Sequence, residues 1–212
     1  MSDTQFDDEI LDSNAISPTD EEGNPVPVTI PIALAPGVTV VYTTRLGGVS
    51  HGDFGDCNLG GKGGDDPQAI LANRVSLAKS VGCGLSLVSQ VHSGRAVDVD
   101  ASWHLNTPFG FDVSGTPGEV TADGEAQAAT VVEGDGLPVL MADAQAGVIG
   151  AAHCGRKGLQ RGIIGATIDA MVAKGAAPER IAATLGPCIC GDCYEVGDAI
   201  ANGFDAQFPG TF

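Results

Sequence analysis

Two of the four histidines in this 212-residue chain stand at the ends of apolar runs. His92 closes Ser89-Gln90-Val91-His92, and His153 closes Gly150-Ala151-Ala152-His153 just before a glycine-studded turn. Imidazoles at strand ends, where loops gather, can ligate a metal or move a proton. The turn after His153, Cys154-Gly155-Arg156-Lys157-Gly158, leads into a helix whose first amides and dipole favour an anion. Arg156, Lys157 and Arg161 lie in or beside that turn, in a chain with only ten Lys and Arg residues. A phosphate or carboxylate contact is expected there. Arg45, between a strand and Gly47-Gly48, is a second candidate anion contact. The plainer reading is that the histidines are satisfied structural groups and the cations solvated first-turn residues. Spacing alone leaves both open.

The six cysteines are Cys57, Cys83, Cys154, Cys188, Cys190 and Cys193. Cys188-x-Cys190-x-x-Cys193 has the close thiolate spacing of structural zinc sites, but no fourth ligand lies at a suitable distance along the chain. Buried reduced cysteines around a tight turn are the competing expectation. A nucleophilic pair using Cys154 would need His92 as its base, because side chains at 153 and 154 point apart on an extended backbone.

These residues need elements to position them. Val38–Thr44 is β-branched and reads as a strand running into the Arg45–Ser50 loop. Asp66-Pro67 caps and starts a helix with Leu71, Val75 and Ala78 as its apolar stripe, ended by Gly82. Strands are expected at Leu85–Val91, Val97–Asp100, Ala128–Val132, Leu137–Met141, Val148–Ala152 and Ile181–Leu185. Trp103–Gly118 reads as loop. A helix bearing Ile164, Ile168 and Met171 follows His153 and closes at Gly175; Gly186–Asp192 is a turn region, and Tyr194–Phe208 reads as another helix. Strands and helices alternate only in part, so the expected fold class is α/β with a mixed sheet and helices outside it.

Composition narrows the function. The chain is 43% hydrophobic and 17% charged, with a formal net charge of -17. Asp3, Asp7, Asp8, Glu9, Asp12, Asp20, Glu21 and Glu22 all precede the first basic residue, Arg45. This argues against nucleic acid and anionic membrane as partners, since both need clustered positive charge. Residues 1–36 are expected to be a disordered acidic leader, and 37–212 a single domain. An acidic start is the reverse of a secretory signal, so a cytoplasmic location with reduced thiols is expected.

The motifs also carry a resemblance. Thr44-Arg45-Leu46-Gly47-Gly48-Val49-Ser50, Asn58-Leu59, Asp65-Asp66-Pro67 and Asn73-Arg74 come first. Gln90-Val91-His92, Gly134-Asp135-Gly136-Leu137-Pro138-Val139-Leu140 and Ala151-Ala152-His153-Cys154-Gly155 follow. Leu185-Gly186-Pro187 and Cys193-Tyr194-Glu195-Val196-Gly197 complete the order. Together, over roughly residues 38–200, they resemble the YfiH-type family. Its members were long named polyphenol oxidoreductases or multicopper laccases. They are described as zinc-dependent purine nucleoside phosphorylases with adenosine deaminase activity.

The resemblance implies a layered α/β/β/α sandwich with mixed sheets, and a purine nucleoside and phosphate as substrates. It implies His92, His153 and Arg45 as catalytic residues, with Arg45, Asn58, Arg156 and Lys157 contacting substrate or phosphate. Zinc would bind His92, His153 and a cysteine just before Leu-Pro-Val. Here that position is Gly136, with Cys154 or Asp135 as the conceivable substitutes. Copper is disfavoured, because four histidines cannot build a multicopper cluster. The family's His-Ala-Gly-Trp-Arg-Gly reads His153-Cys-Gly-Arg-Lys-Gly158 here. The stretch from Asp123 to Asp135 is shorter than usual, and Phe212 precedes the usual last strand. Three readings follow: a nucleoside phosphorylase, a non-catalytic nucleoside- or anion-binding descendant, and a hydrolase editing peptidoglycan precursors.

Overall fold

The computed structural model describes residues 18–61, 63–82, 84–86, 92–99, 119–121, 127–129 and 136–211. Gln90, Val91, Asp135, residues 1–17 of the acidic leader and the Trp103–Gly118 segment therefore lie outside the described residues. The chain divides into two units. One comprises the residues up to Ile30 with Thr43–Ser80, and the other Pro31–Tyr42 with Val81 onward. Among the described residues no helix is long and apolar enough to cross a membrane.

Strand β1 (Thr29–Ala35) pairs with β2 (Val38–Thr43) in a two-stranded sheet. Pro36-Gly37 turns the chain between them, with Gly37 at φ 76°. The leader was expected to run to residue 36, yet its last residues form β1. Ile30, Ile32 and Leu34 give that stretch an alternation that its prolines obscure, and Pro31 is tolerated because the sheet has only two strands.

In the first unit, helix α1 (Pro67–Val81) starts as expected: the Asp66 carboxylate accepts the Gln68 N–H at 2.9 Å. Gly82, at φ 71°, ends it. Its buried residues are Ile70, Asn73 and Leu77, not the expected stripe of Leu71, Val75 and Ala78; Leu71 is 40% exposed. The polar Asn73 faces inward because it holds the preceding loop, and this rotates the inward face away from the simple apolar pattern.

The second unit is built on a five-stranded mixed sheet in the order β4 (Val97–Val99), β5 (Glu119–Thr121), β8 (Val148–Cys154), β7 (Leu137–Asp143) and β9 (Ala182–Leu185). The β4–β5 pair is parallel, and the other pairings are antiparallel. Strand β3 (Gly84–Ser86) pairs in parallel with β6 (Gln127–Ala129). The mixed α/β class read from the sequence is what the structure has.

The β7–β8 register runs from Leu137 opposite Cys154 to Asp143 opposite Val148. Because side chains alternate, one face carries Val139, Met141, Val148, Ala152 and Cys154. These pack with Ile163 and Met171 into the core. Burying an Ile or Met side chain contributes about 2 kcal/mol, so this face anchors the unit. Gly150 permits the close approach, since a Cβ there would sit 2.9 Å from the Met171 sulfur. The opposite face carries Pro138 and, directly across from it, His153.

The helix expected after His153 is broken in two. Gly162, at φ 77°, separates α2 (Arg156–Gln160) from α3 (Ile163–Ala173). Helix α3 buries Ile163, Thr167 and Met171, with Ile164 and Ile168 partly buried at the edge of the core. Helix α4 (Asp198–Asp205) is shorter than the expected Tyr194–Phe208. Gly197 is its N-cap, so the Cys193–Gly197 stretch stays non-helical.

Candidate active site

His153 is next to last on β8 and 6% exposed. His92 lies in the loop before β4, 61 residues earlier in the chain, and its ring comes to meet His153. His153 Nε2 stands 3.3 Å from His92 Nδ1, with ring centroids 5.2 Å apart and planes tilted by 59°. One nitrogen donates and the other accepts, according to tautomer.

Several local features hold this pair. His92 has φ 52°, a left-handed conformation that a non-glycine residue adopts only when its surroundings impose it. Arg161 imposes part of it, donating from Nη1 to the His92 carbonyl at 2.6 Å. Gly94 lets this loop lie against Arg161, since a Cβ there would come within 2.0 Å of the Arg161 carbonyl oxygen. On the other strand, Gly155 leaves room for the His153 ring: a Cβ at 155 would sit 2.7 Å from Nε2. Neither glycine has positive φ; space is what they provide.

The same sheet face carries a further polar group. Gly186 donates its N–H to the Pro138 carbonyl at 2.9 Å, and a Cβ on Gly186 would meet Pro138 Cγ at 2.4 Å and Tyr42 Cε1 at 2.8 Å. The Tyr42 ring thus lies on the Pro138 side of the sheet, the side His153 occupies. Its hydroxyl is buried without a hydrogen-bond partner among the described residues. Buried hydroxyls are ordinarily paired, which makes this one a candidate contact. Sequence reasoning passed over Tyr42, since nothing in its neighbours distinguishes a functional tyrosine from a strand-filling aromatic.

The remaining expected site residues are distributed differently. Arg156 donates to Gln160 Oε1 at 3.0 Å along α2, and Lys157 is exposed. With five residues, α2 is too short to build up the dipole expected at its start. Cys154 packs in the core on the face opposite His153, which removes it as a stand-in ligand. Gly136 immediately precedes β7, beside Leu137, whose partner is Cys154; position 136 therefore falls at the end of β8 where His153 sits.

Arg45 and Asn58 belong to the first unit, and there the sequence motif becomes a polar scaffold. Asn73 is 1% exposed, and its Nδ2 donates to Ser50 Oγ (2.9 Å), Asn58 O (2.9 Å) and Asp56 O (3.2 Å). Its Oδ1 accepts the Val49 N–H at 2.8 Å. Ser50 Oγ and Asn58 Nδ2 both donate to Asp65 Oδ2, at 2.7 and 2.9 Å, and hold that carboxyl below its usual range. Asn58 is thus occupied inside this network. Arg45 is exposed, with Nη2 donating to the Asp53 carbonyl at 3.2 Å. Arg74 donates from Nε to the Leu59 carbonyl at 2.8 Å, and burial lowers its pKa to about 10.

The metal question can be put to this geometry. Two imidazole nitrogens bound to one tetrahedral zinc at roughly 2.0–2.1 Å stand roughly 3.3–3.4 Å apart, and the histidine pair matches that separation. A catalytic site needs a third protein ligand. Gly136 has no side chain, Cys154 faces away, and among the described residues no three His, Cys, Asp or Glu side chains cluster to hold an ion. The described residues fit two ligands and not the set. Cys188, Cys190 and Cys193, expected to be buried, are exposed and likewise form no such cluster.

Comparisons with known proteins agree with this chain's motifs. Residues 39–211 match the family model described as multi-copper polyphenol oxidoreductase laccase. A Streptomyces griseus protein named purine nucleoside phosphorylase is 42% identical over 174 residues, covering 81% of this chain and 69% of that protein. A Deinococcus radiodurans protein of the same name is 40% identical over 186 residues, covering 84% and 68%. Among solved structures, the hypothetical protein YfiH of Bacillus licheniformis superposes with a TM-score of 0.76 at 27% identity, covering 88% of this chain and 71% of that one. A Neisseria meningitidis protein gives 0.73 at 33% identity, covering 86% and 71%.

Proposed function

This chain belongs to the multi-copper polyphenol oxidoreductase laccase family, and from that premise we propose that it is a purine nucleoside phosphorylase acting on adenosine or inosine. The observation that carries the reading is the His92–His153 pair, held at 3.3 Å by a strained loop on one side and a ring-sized gap on the other. In phosphorolysis a phosphate oxygen bonds to the ribose C1′ while the C1′–N9 bond breaks. The departing purine carries the bonding electrons and needs a proton on its ring. A shared proton between two facing imidazoles is a suitable donor, with His153 fixed on the sheet and His92 as its partner. The buried Tyr42 hydroxyl supplies a hydrogen bond to the nucleoside. No step requires a metal. Deamination of adenosine, by contrast, needs an activated water, and Gly136 removes the thiolate that would complete a zinc site for it.

Gly136 also favours a second reading, a descendant that binds nucleosides or anions without turning them over. Incubating the chain with inosine and phosphate, then separating the products, distinguishes these. Hypoxanthine with ribose 1-phosphate supports the phosphorylase. Nucleoside binding without product supports the second reading. A free amino acid released from a peptidoglycan precursor would replace both with the hydrolase.

A further inference from the structure

The Cys188-x-Cys190-x-x-Cys193 segment has no role in the site described above. It follows β9 and precedes α4, and all three thiols are exposed. Residues 190–193 form a tight turn: the Cys193 and Tyr194 amides both donate to the Cys190 carbonyl at 3.1 Å. A turn closed in this way brings its first and fourth Cα atoms within about 7 Å, overlapping the span a disulfide bridges. The two side chains already meet, since the Cys190 and Cys193 sulfurs are hydrogen-bonded. Cys190 also accepts backbone N–H groups of Asp192 and Cys193. Cys188 lies two residues before Cys190 and outside the 190–193 turn.

We propose that Cys190 and Cys193 are a redox-reactive dithiol, which small-molecule disulfides of the glutathione type oxidise to an intramolecular disulfide. Cys190 is the attacking group, because the thiol and amide hydrogens around it stabilise its thiolate and lower its pKa, while that of Cys193 is raised. Its sulfur bonds to one sulfur of the small disulfide, the S–S bond breaks, and one small thiolate leaves with the proton that Cys190 gave up. Cys193, on losing its own proton, then bonds to the Cys190 sulfur and displaces the second small thiolate, which takes that proton. The dithiol has lost two electrons and two protons, and the small disulfide has become two thiols.

Treating the reduced full-length chain with glutathione disulfide tests this, with peptide mapping by mass spectrometry. The expected product is a Cys190–Cys193 cross-link lacking two hydrogens and carrying no glutathione. Cys193→Ser should trap glutathione on Cys190, Cys190→Ser should react about tenfold more slowly, and Cys188→Ser should behave as the parent does. Should a serine variant lower the melting temperature, alkylation of the parent chain by substoichiometric iodoacetamide at neutral pH replaces it, with Cys190 expected to be labelled first. Glutathione spread over Cys188, Cys190 and Cys193 without cross-link, or equal alkylation of the three, overturns the proposal. So does protection of all three thiols by added zinc at stoichiometric amounts, which would make the segment a metal site.

Discussion

At the scale of single residues, the site depends as much on missing side chains as on present ones. Gly155 leaves the space that the His153 ring fills. Gly155→Ala would put a methyl 2.7 Å from Nε2, so the ring must move while the strand need not. A displacement of this size at a catalytic group costs about 10- to 100-fold in rate. We expect kcat/KM for inosine to fall by that factor with an unchanged urea midpoint; an unchanged kcat/KM would show that the ring position does not matter. Gly136 is the other absence. Gly136→Cys restores the ligand that the resemblance places there, and should raise the zinc retained after dialysis from a small fraction toward one per chain, as read by elemental analysis. Retention equal to that of the parent would show that position 136 does not face the histidines. His92 and His153 are candidates in the sequence because strand ends are where sites collect, and the structure brings their rings together, with His153 on β8 and His92 in a loop. The Tyr42 hydroxyl could not be, because its isolation is a property of the packing around it.

At the scale of elements, the polar scaffold around Asn73 and the turn at Asp143 do the positioning. Asn73 serves four groups from a buried point, so Asn73→Ala leaves several polar atoms unpaired. Its expected cost is about 3 kcal/mol in urea unfolding, far more than an exposed α1 substitution. Asp143 is 1% exposed, bonded by Arg180 at 2.8 Å and by the amides of Gln145, Ala146 and Ala177. The Arg180 guanidinium and the amides of Ala177 and Ala146 lower its pKa to about 2. An unfolded aspartate titrates at about 3.9, so the unfolded chain takes up protons first. The stabilisation is present above about pH 4 and is lost as pH falls toward 2. Arg180→Gln should flatten the melting temperature between pH 4 and 2.5; a slope as steep as that of the parent would place the acid sensitivity elsewhere.

Elements governed by local chemistry were legible in advance. Asp66-Pro67 announced α1, the β-branched run announced β2, and short apolar runs announced β7 and β8. Elements set by distant partners were not. Strand β5 has three residues and exists through its pairing with Ala151, Gly150 and Ile149 of β8, some 30 residues on. The break at Gly162 depends on its positive φ, which an isolated glycine in a helical pattern does not reveal.

At the scale of the whole molecule, charge and family decide what the chain meets. A formal net charge of -17 repels polyanions, and only ten Lys and Arg residues oppose it. A labelled DNA duplex at about 50 mM salt should show no change in fluorescence anisotropy up to micromolar protein; saturable binding there would reveal a local basic surface strong enough to override the net charge. The family assignment rests on motifs spread over both units, and those motifs separate by role. The Arg45–Arg74 block builds the loop scaffold of one unit, while the His92 and His153 blocks build the paired imidazoles of the other.

The central claim is that this imidazole pair drives phosphate-dependent cleavage of a nucleoside. It is tested most directly by comparing the parent chain with His92→Asn and His153→Asn in hypoxanthine release from inosine, with and without phosphate, alongside melting temperatures. We expect phosphate-dependent release by the parent and a loss of at least about 100-fold in both variants at little change in melting temperature. Release that ignores phosphate, or that survives in either folded variant, would contradict it.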